Sequence, residues 1–172
     1  SAPHLSHPSE RNLVTLSEQQ LMDCSRNYNN NGCNGGLMTS SFQFVKHNGG
    51  LCSEEDYPYK GIDETKCKKC TVVPDTNIDD CVIIPEMNET AILKVLSQQP
   101  ISIAIQADNR KFQHYQGGIF NDTSCYTEQL NHGVLLVGYD NESFTIKNSW
   151  GPLWGDEGYI KFARSGDNVP GI

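Results

Sequence analysis

Asn131-His132-Gly133-Val134-Leu135-Leu136-Val137-Gly138-Tyr139, followed by Asn148-Ser149-Trp150-Gly151-Pro152-Leu153-Trp154-Gly155, is the part of the sequence that decides how the rest is read. The histidine opens an apolar, β-branched run, so its ring belongs at the end of a strand rather than deep in a core. An asparagine beside a tryptophan offers a side-chain carbonyl that can orient an imidazole while the indole excludes water. That is the third-group role in a site built from nucleophile, base and orienter. Taken singly, each segment has an ordinary reading. A strand-edge histidine is usually structural, and a Trp-Gly-x-x-Trp-Gly stretch can be a turn with two packing anchors. Both together, in this order, point to chemistry.

Working outward from these segments, residues 101–106, 143–147 and 159–163 read as further strands beside 132–139. Upstream the character is helical. Leu16-Ser17-Glu18-Gln19-Gln20 reads as a helix start, with Ser17 as the cap, Gln20 closing a capping box and Leu16 as a hydrophobic staple. A second helix is expected over 37–48, with Met38, Phe42 and Val45 on one face and Gly49 as its stop. A third fits 89–98, ended by Pro100. Residues 50–86 show turn chemistry and scattered cysteines, the pattern of an irregular, disulfide-pinned region. Residues 1–12 are polar and hold Pro3 and Pro8, so loop or disorder is expected there. Helices first and strands later predict an α+β chain of two lobes, a helical one over about 13–85 and a β one over about 86–172.

The chain has 172 residues, 37% of them hydrophobic, enough for one ordinary core or two small lobes. Its longest apolar run, Val134 to Val137, is far too short to cross a bilayer, so no membrane partner is expected. A net charge of -8 gives no electrostatic footprint for nucleic acid. Seven cysteines, an odd count, leave at least one thiol without an internal partner. Sequons at Asn88, Asn121 and Asn141, taken with the cysteines, point to a secretory-route glycoprotein.

At this point the sequence resembles the papain-like cysteine proteases, in particular the cathepsin L-like group. Ser17-Glu18-Gln19-Gln20-Leu21-Met22-Asp23-Cys24, Gly32-Cys33-Asn34-Gly35-Gly36-Leu37-Met38 and Tyr57-Pro58-Tyr59 look like that family's first lobe. Asn131-His132-Gly133 and Asn148-Ser149-Trp150-Gly151 look like its second, an antiparallel and barrel-like β lobe. The resemblance implies that His132 is the base that activates a cysteine thiol, that Asn148 holds its tautomer and that Trp150 shields their hydrogen bond. Gly35 and Gly36 would pair with the substrate backbone as an added strand does. Met38, Ala104 and Leu130 match positions lining the pocket for the second residue before the cut, which implies a preference for a bulky hydrophobic side chain. Asn131, next to the histidine, falls in the same substrate-binding stretch, and Trp154 would flank the leaving-group side. No cofactor is called for. The partners implied are peptide or protein substrates and cystatin-like inhibitors, met by a monomer in a lysosomal, vacuolar or secreted setting.

The departure from the pattern concerns the nucleophile. The family signature Cys-Gly-Ser/Ala-Cys-Trp/Tyr stands roughly 130–150 residues before the histidine. Counted back from His132, that falls at the first residues or before them, and the first cysteine is Cys24. The resemblance implies a Cys24–Cys67 disulfide. Cys33 would normally bond within the absent signature, and Cys125 with a cysteine beyond Ile172. Cys52, Cys70 and Cys81 match no common family position, with Cys70–Cys81 as the candidate extra bridge. Cys67-x-x-Cys70 is half of a zinc-ligand pattern, and without a second pair no metal site is expected. The leading expectation is a cysteine endopeptidase of which this chain is an inactive part. The alternatives are a non-catalytic, protease-derived protein that binds peptides or protease inhibitors, and one chain of a two-chain enzyme.

Overall fold

A computed structural model describes residues 13–63, 66–86, 88–122 and 130–164, and the chain divides into two compact units, Ser1–Val82 and Ile83–Ile172. In the first unit, α1 (Glu18–Cys24) is followed by two 3-10 turns, Arg26–Tyr28 and Gly32–Asn34, and by α2 (Met38–Asn48). Ser17 caps α1, its Oγ accepting the Gln20 N–H at 3.0 Å, with Glu18 in the first turn where the helix dipole favours an acid. The capping box does not close. The Gln20 side chain is buried and accepts the Cys52 N–H at 2.8 Å, while the Ser17 N–H goes to the Cys52 carbonyl at 2.9 Å. A long-range partner has taken the side chain that local pattern assigned to the cap.

The second helix ends at Gly49, as read, at φ 78°, where its N–H closes on the Val45 carbonyl. Its buried face runs through Ser40, Phe44 and Val45, and Met38 and Phe42 are only half-buried. Beyond it, residues 50–86 hold no helix or strand among the described residues, only isolated bridges such as Cys52 with Val72. Two disulfides hold this region: Cys24–Cys67 and Cys52–Cys70. The Cys70–Cys81 bridge expected from the sequence is therefore wrong. Cys52 is fully buried beside Val72 and captures Cys70, and Cys81 keeps a free thiol.

The second unit opens with α3 (Glu89–Leu96), capped by Asn88, whose Oδ1 accepts the Ala91 N–H at 2.9 Å. This helix stops two residues short of the expected end, with Ser97 as its cap. After it come β1 (Ile101–Ile105), a one-turn α4 (Arg110–Gln113), β2 (Ile119–Phe120), β3 (His132–Tyr139), β4 (Ser143–Lys147) and β5 (Tyr159–Ala163). The strands form one sheet in the order β1-β3-β4-β5-β2, antiparallel except for the β2–β5 edge pair, which is parallel. Period-two alternation turns Val134 and Leu136, Phe144 and Ile146, and Ile160 and Phe162 into a core shared with Ile92 and Leu96 of α3. The fold is α+β, as the order of helical and strand patterns predicts.

Candidate active site

Antiparallel pairing explains why two residues 16 apart in sequence meet. Strands β3 and β4 are joined by a short turn at 140–142, with Leu135 opposite Lys147. The start of β3 therefore lies beside the segment that leaves β4, and those positions carry His132 and Asn148. The His132 Nε2 and Asn148 Oδ1 are 2.8 Å apart. The Ser149 N–H also donates to Asn148 Oδ1, at 2.7 Å, so that atom must be the oxygen of the amide. An oxygen can only accept, so the imidazole carries its proton on Nε2. Its Nδ1 is then left with a lone pair, able to take a proton from a donor on the other side of the ring.

Several contacts hold this pair still. Asn148 is 7% exposed, and its own N–H is bonded to the Gly158 carbonyl at 3.0 Å. The Trp150 ring lies 5.1 Å from the imidazole, tilted by 33°, and so covers the bond from one side. Trp150 itself rests against Phe112 and Trp154, with ring centroids 5.4 and 5.3 Å away. Trp154 donates its indole N–H to the Gln113 carbonyl at 3.1 Å and packs on Phe112 and Tyr115. The turn that presents it requires glycine at 155: φ is +63°, and a Cβ there would stand 2.5 Å from the Tyr159 carbonyl oxygen. On the strand side, the Asn131 N–H bonds the Ile105 carbonyl at 3.0 Å, and its Oδ1 accepts the Ala107 N–H at 2.8 Å. Both contacts pin the entry to β3.

His132, Asn148, Trp150 and Trp154 thus form one cluster in the second unit. Ala104 lies beside it on β1, paired with Gly133, and is half-buried, while Leu130 just before β3 is exposed. Gly35, Gly36 and Met38 belong to the first unit, where the two glycines are exposed and Met38 opens α2. Neither the N–H nor the C=O of Gly36 has a partner among the described residues. Cys125 and its surroundings lie outside the described residues. Asn88, Asn121 and Asn141 are all exposed.

Six cysteines lie among the described residues, and Cys33 and Cys81 among them are free thiols. Four are in disulfides. Cys33 is free, but desolvation and the neighbouring Asp63 carboxylate push its thiol up, away from the thiolate form. That is the reverse of the electropositive setting in which reactive cysteines occur. The described residues of the second unit contain no cysteine. Sequence reasoning missed the support made by the Phe112 ring and the Gln113 backbone carbonyl. Its only local signal was Asn109, a cap whose Oδ1 accepts the Lys111 N–H at 2.8 Å.

An imidazole held by an amide carbonyl under an indole thus stands at the end of a strand in an α+β chain. The model of the papain family cysteine proteases matches residues 4–172, and the chain belongs to that family. It is 46% identical to cathepsin L of Sarcophaga peregrina over 93% of this chain and 49% of that protein. To human cathepsin L2 it is 45% identical, over 93% of this chain and 50% of that one. Among solved structures, the cysteine protease of Carica candamarcensis in complex with E-64 superposes with a TM-score of 0.82. The identity there is 39%, covering 92% of this chain and 72% of that one. The chain spans about half the length of the curated relatives it matches.

Proposed function

We propose that this chain carries the base and orienter half of a cysteine endopeptidase, with the nucleophilic thiol supplied from outside the 172 residues. The observation that carries the reading is the His132 Nε2–H···Asn148 Oδ1 bond of 2.8 Å beneath Trp150, which leaves Nδ1 as the proton acceptor. In the complete site, Nδ1 takes the proton of a cysteine thiol. The thiolate attacks the peptide carbonyl carbon, and the new C–S bond forms as the carbonyl π electrons move onto oxygen. Collapse of that intermediate breaks the C–N bond, and the imidazolium returns its proton to the leaving amine. Water, deprotonated by the same imidazole, then cleaves the thioester and regenerates the thiol. Asn148 keeps the ring in the one orientation that serves every step.

The remaining assignments belong to the same reading. Gly35 and Gly36 bind the substrate backbone, supported by the exposed and unpaired peptide groups of Gly36. Met38, Ala104 and Leu130 favour a bulky hydrophobic residue at the second position before the cut. Asn131 belongs to the substrate-binding stretch, and Trp154 flanks the leaving group. Cystatin-like inhibitors and a lysosomal, vacuolar or secreted setting go with this class. Among the described residues no helix is long and apolar enough to cross a membrane. The test is hydrolysis of a Phe-Arg fluorogenic amide at mildly acidic pH with dithiothreitol, by this chain and by the longer protein. The expected result is turnover by the longer protein alone, lost on His132→Ala. Turnover by this chain, blocked by alkylation of one cysteine, sinks the claim that the thiol lies outside it. If both are inert, the chain is a binder of peptides or inhibitors.

A further inference from the structure

Asn30 is buried, 6% exposed, in a loop that otherwise faces water, and every polar atom of its carboxamide is engaged. Its Oδ1 accepts the Leu37 N–H at 2.9 Å. Its Nδ2 donates to the Ser25 hydroxyl at 2.8 Å and the Ser41 hydroxyl at 3.1 Å, which accounts for both of its hydrogens. One side chain therefore joins the residue that caps the end of α1, the stretch 35–37 and the second turn of α2. Leu37, the N-cap residue of α2, makes no side-chain cap bond, and its own N–H is the group that Asn30 holds. The adjoining backbone is pressed onto it. A Cβ at Gly36 would stand 2.3 Å from Asn30 Oδ1, closer than real side chains come. From the other side, the Asn31 N–H holds the Gly35 carbonyl at 2.8 Å.

We propose that Asn30 is a positioning residue for substrate binding: its carboxamide sets the 36–37 peptide plane, which carries the Gly36 C=O, next to the 35–36 plane that the Asn31 N–H holds and that carries the Gly36 N–H, so that Gly36 offers both groups to an extended peptide. This rests on the reading of Gly35 and Gly36 as the backbone-binding edge. An added strand gains affinity only if its partner edge is already in place, because ordering that edge on binding lowers the affinity. Loosening Asn30 must therefore weaken ground-state binding of the substrate and leave the chemistry at His132 intact. It should raise KM and spare kcat.

The experiment uses three variants in two settings. In the longer protein, Asn30→Ala and Asn30→Ser, which both lose the reach to Leu37, should raise KM for a Phe-Arg amide about fivefold with kcat within about twofold. Asn30→Asp, which keeps an acceptor for the Leu37 N–H, should stay within about twofold of wild type in KM. Asn30→Ser retains a hydroxyl for its serine neighbours and serves if Asn30→Ala fails to fold. In the 172-residue chain, exchange of the Leu37 amide followed by NMR should quicken about fivefold in Asn30→Ser and stay near wild type in Asn30→Asp. Faster exchange with an unchanged KM overturns the proposal, and so does a fall in kcat at constant KM. A wild-type longer protein that is itself inert overturns the protease reading and this proposal with it. That outcome is distinct from the case in which the wild type turns over and the variants match it, where only the role of Asn30 fails.

Discussion

The two units of this chain reach stability by different means. In the second, thirteen buried apolar side chains among the described residues form one cluster from α3, α4 and its flanks, and the sheet. In the first, the buried apolar residues among those described are Phe44, Val45, Cys52 and Tyr57. Its interior is instead polar, with Ser17, Gln19, Gln20, Asp23, Ser25, Asn30 and Ser40 all buried. These groups satisfy one another: Gln19 donates to Asp23 and the Ile62 carbonyl, while its oxygen accepts from Lys60 and Gly61. Asp23 in turn accepts the Tyr57 hydroxyl at 2.8 Å. Both disulfides lie in this unit. Apolar burial is non-directional and tolerates local change, whereas a buried polar network requires every partner in place. Cross-links suit the second situation, because they restrict the unfolded chain without needing apolar surface.

Reduction is the strongest test of that contrast. On the loop-entropy estimate, opening the 43-residue Cys24–Cys67 loop costs about 4 kcal/mol and the 18-residue Cys52–Cys70 loop about 3 kcal/mol. In urea, which exposes bridges that resist reductant under the native conditions of the activity assay, dithiothreitol should therefore unfold the first unit and leave the second folded. Both tryptophans lie in the second unit, so indole emission reports on it alone and amide exchange of α1 and α2 reports on the first. Coincident loss of both signals on reduction would break the contrast.

The reverse experiment is Phe112→Ala. Phe112 is fully buried and touches Trp150, Trp154, Phe120 and Phe162. Its truncation should cost about 4 kcal/mol in the second unit, seen as an early indole transition in urea, while exchange in α1 stays unchanged. A smaller effect is expected from Glu89→Ala. Glu89 Oε1 accepts from both Nε and Nη2 of Arg164, at 2.9 and 2.7 Å, in a pair whose side chains are 10% and 19% exposed. Removing the carboxylate leaves a guanidinium without its counter-charge and should destabilise the second unit by about 3 kcal/mol, measured by chemical denaturation.

The smallest effect concerns pH. Asp140, in the β3–β4 turn, is held below the usual carboxylate value by the Glu142 and Ser143 N–H groups, then by the Ser143 hydroxyl and Lys161. A depressed native value means that its contribution is present above the unfolded pKa, about 3.9, and is lost as pH falls through the native one. Asp140→Asn should lower the urea midpoint at pH 7, and the gap from wild type should close in acid. A gap that persists unchanged at pH 2 would show that the turn relies on the shape of the side chain rather than its charge.

Local, short-range information was legible in the sequence because its physics is local. The Ser17 cap, the Gly49 stop and the period-two runs of β3, β4 and β5 follow from hydrogen-bond needs within a few residues. The meeting of His132 with Asn148 is nearly of that kind, since a three-residue turn leaves antiparallel strands little choice of partner. The tertiary structure alone decided what depends on distant groups. Gln20 left the cap for Cys52, Cys52 took Cys70 in place of Cys81, and the one-turn α4 carried Phe112 under two tryptophans. In each case several partners were chemically equivalent along the chain. The choice among them was made by burial and proximity, which exist only after the chain has folded.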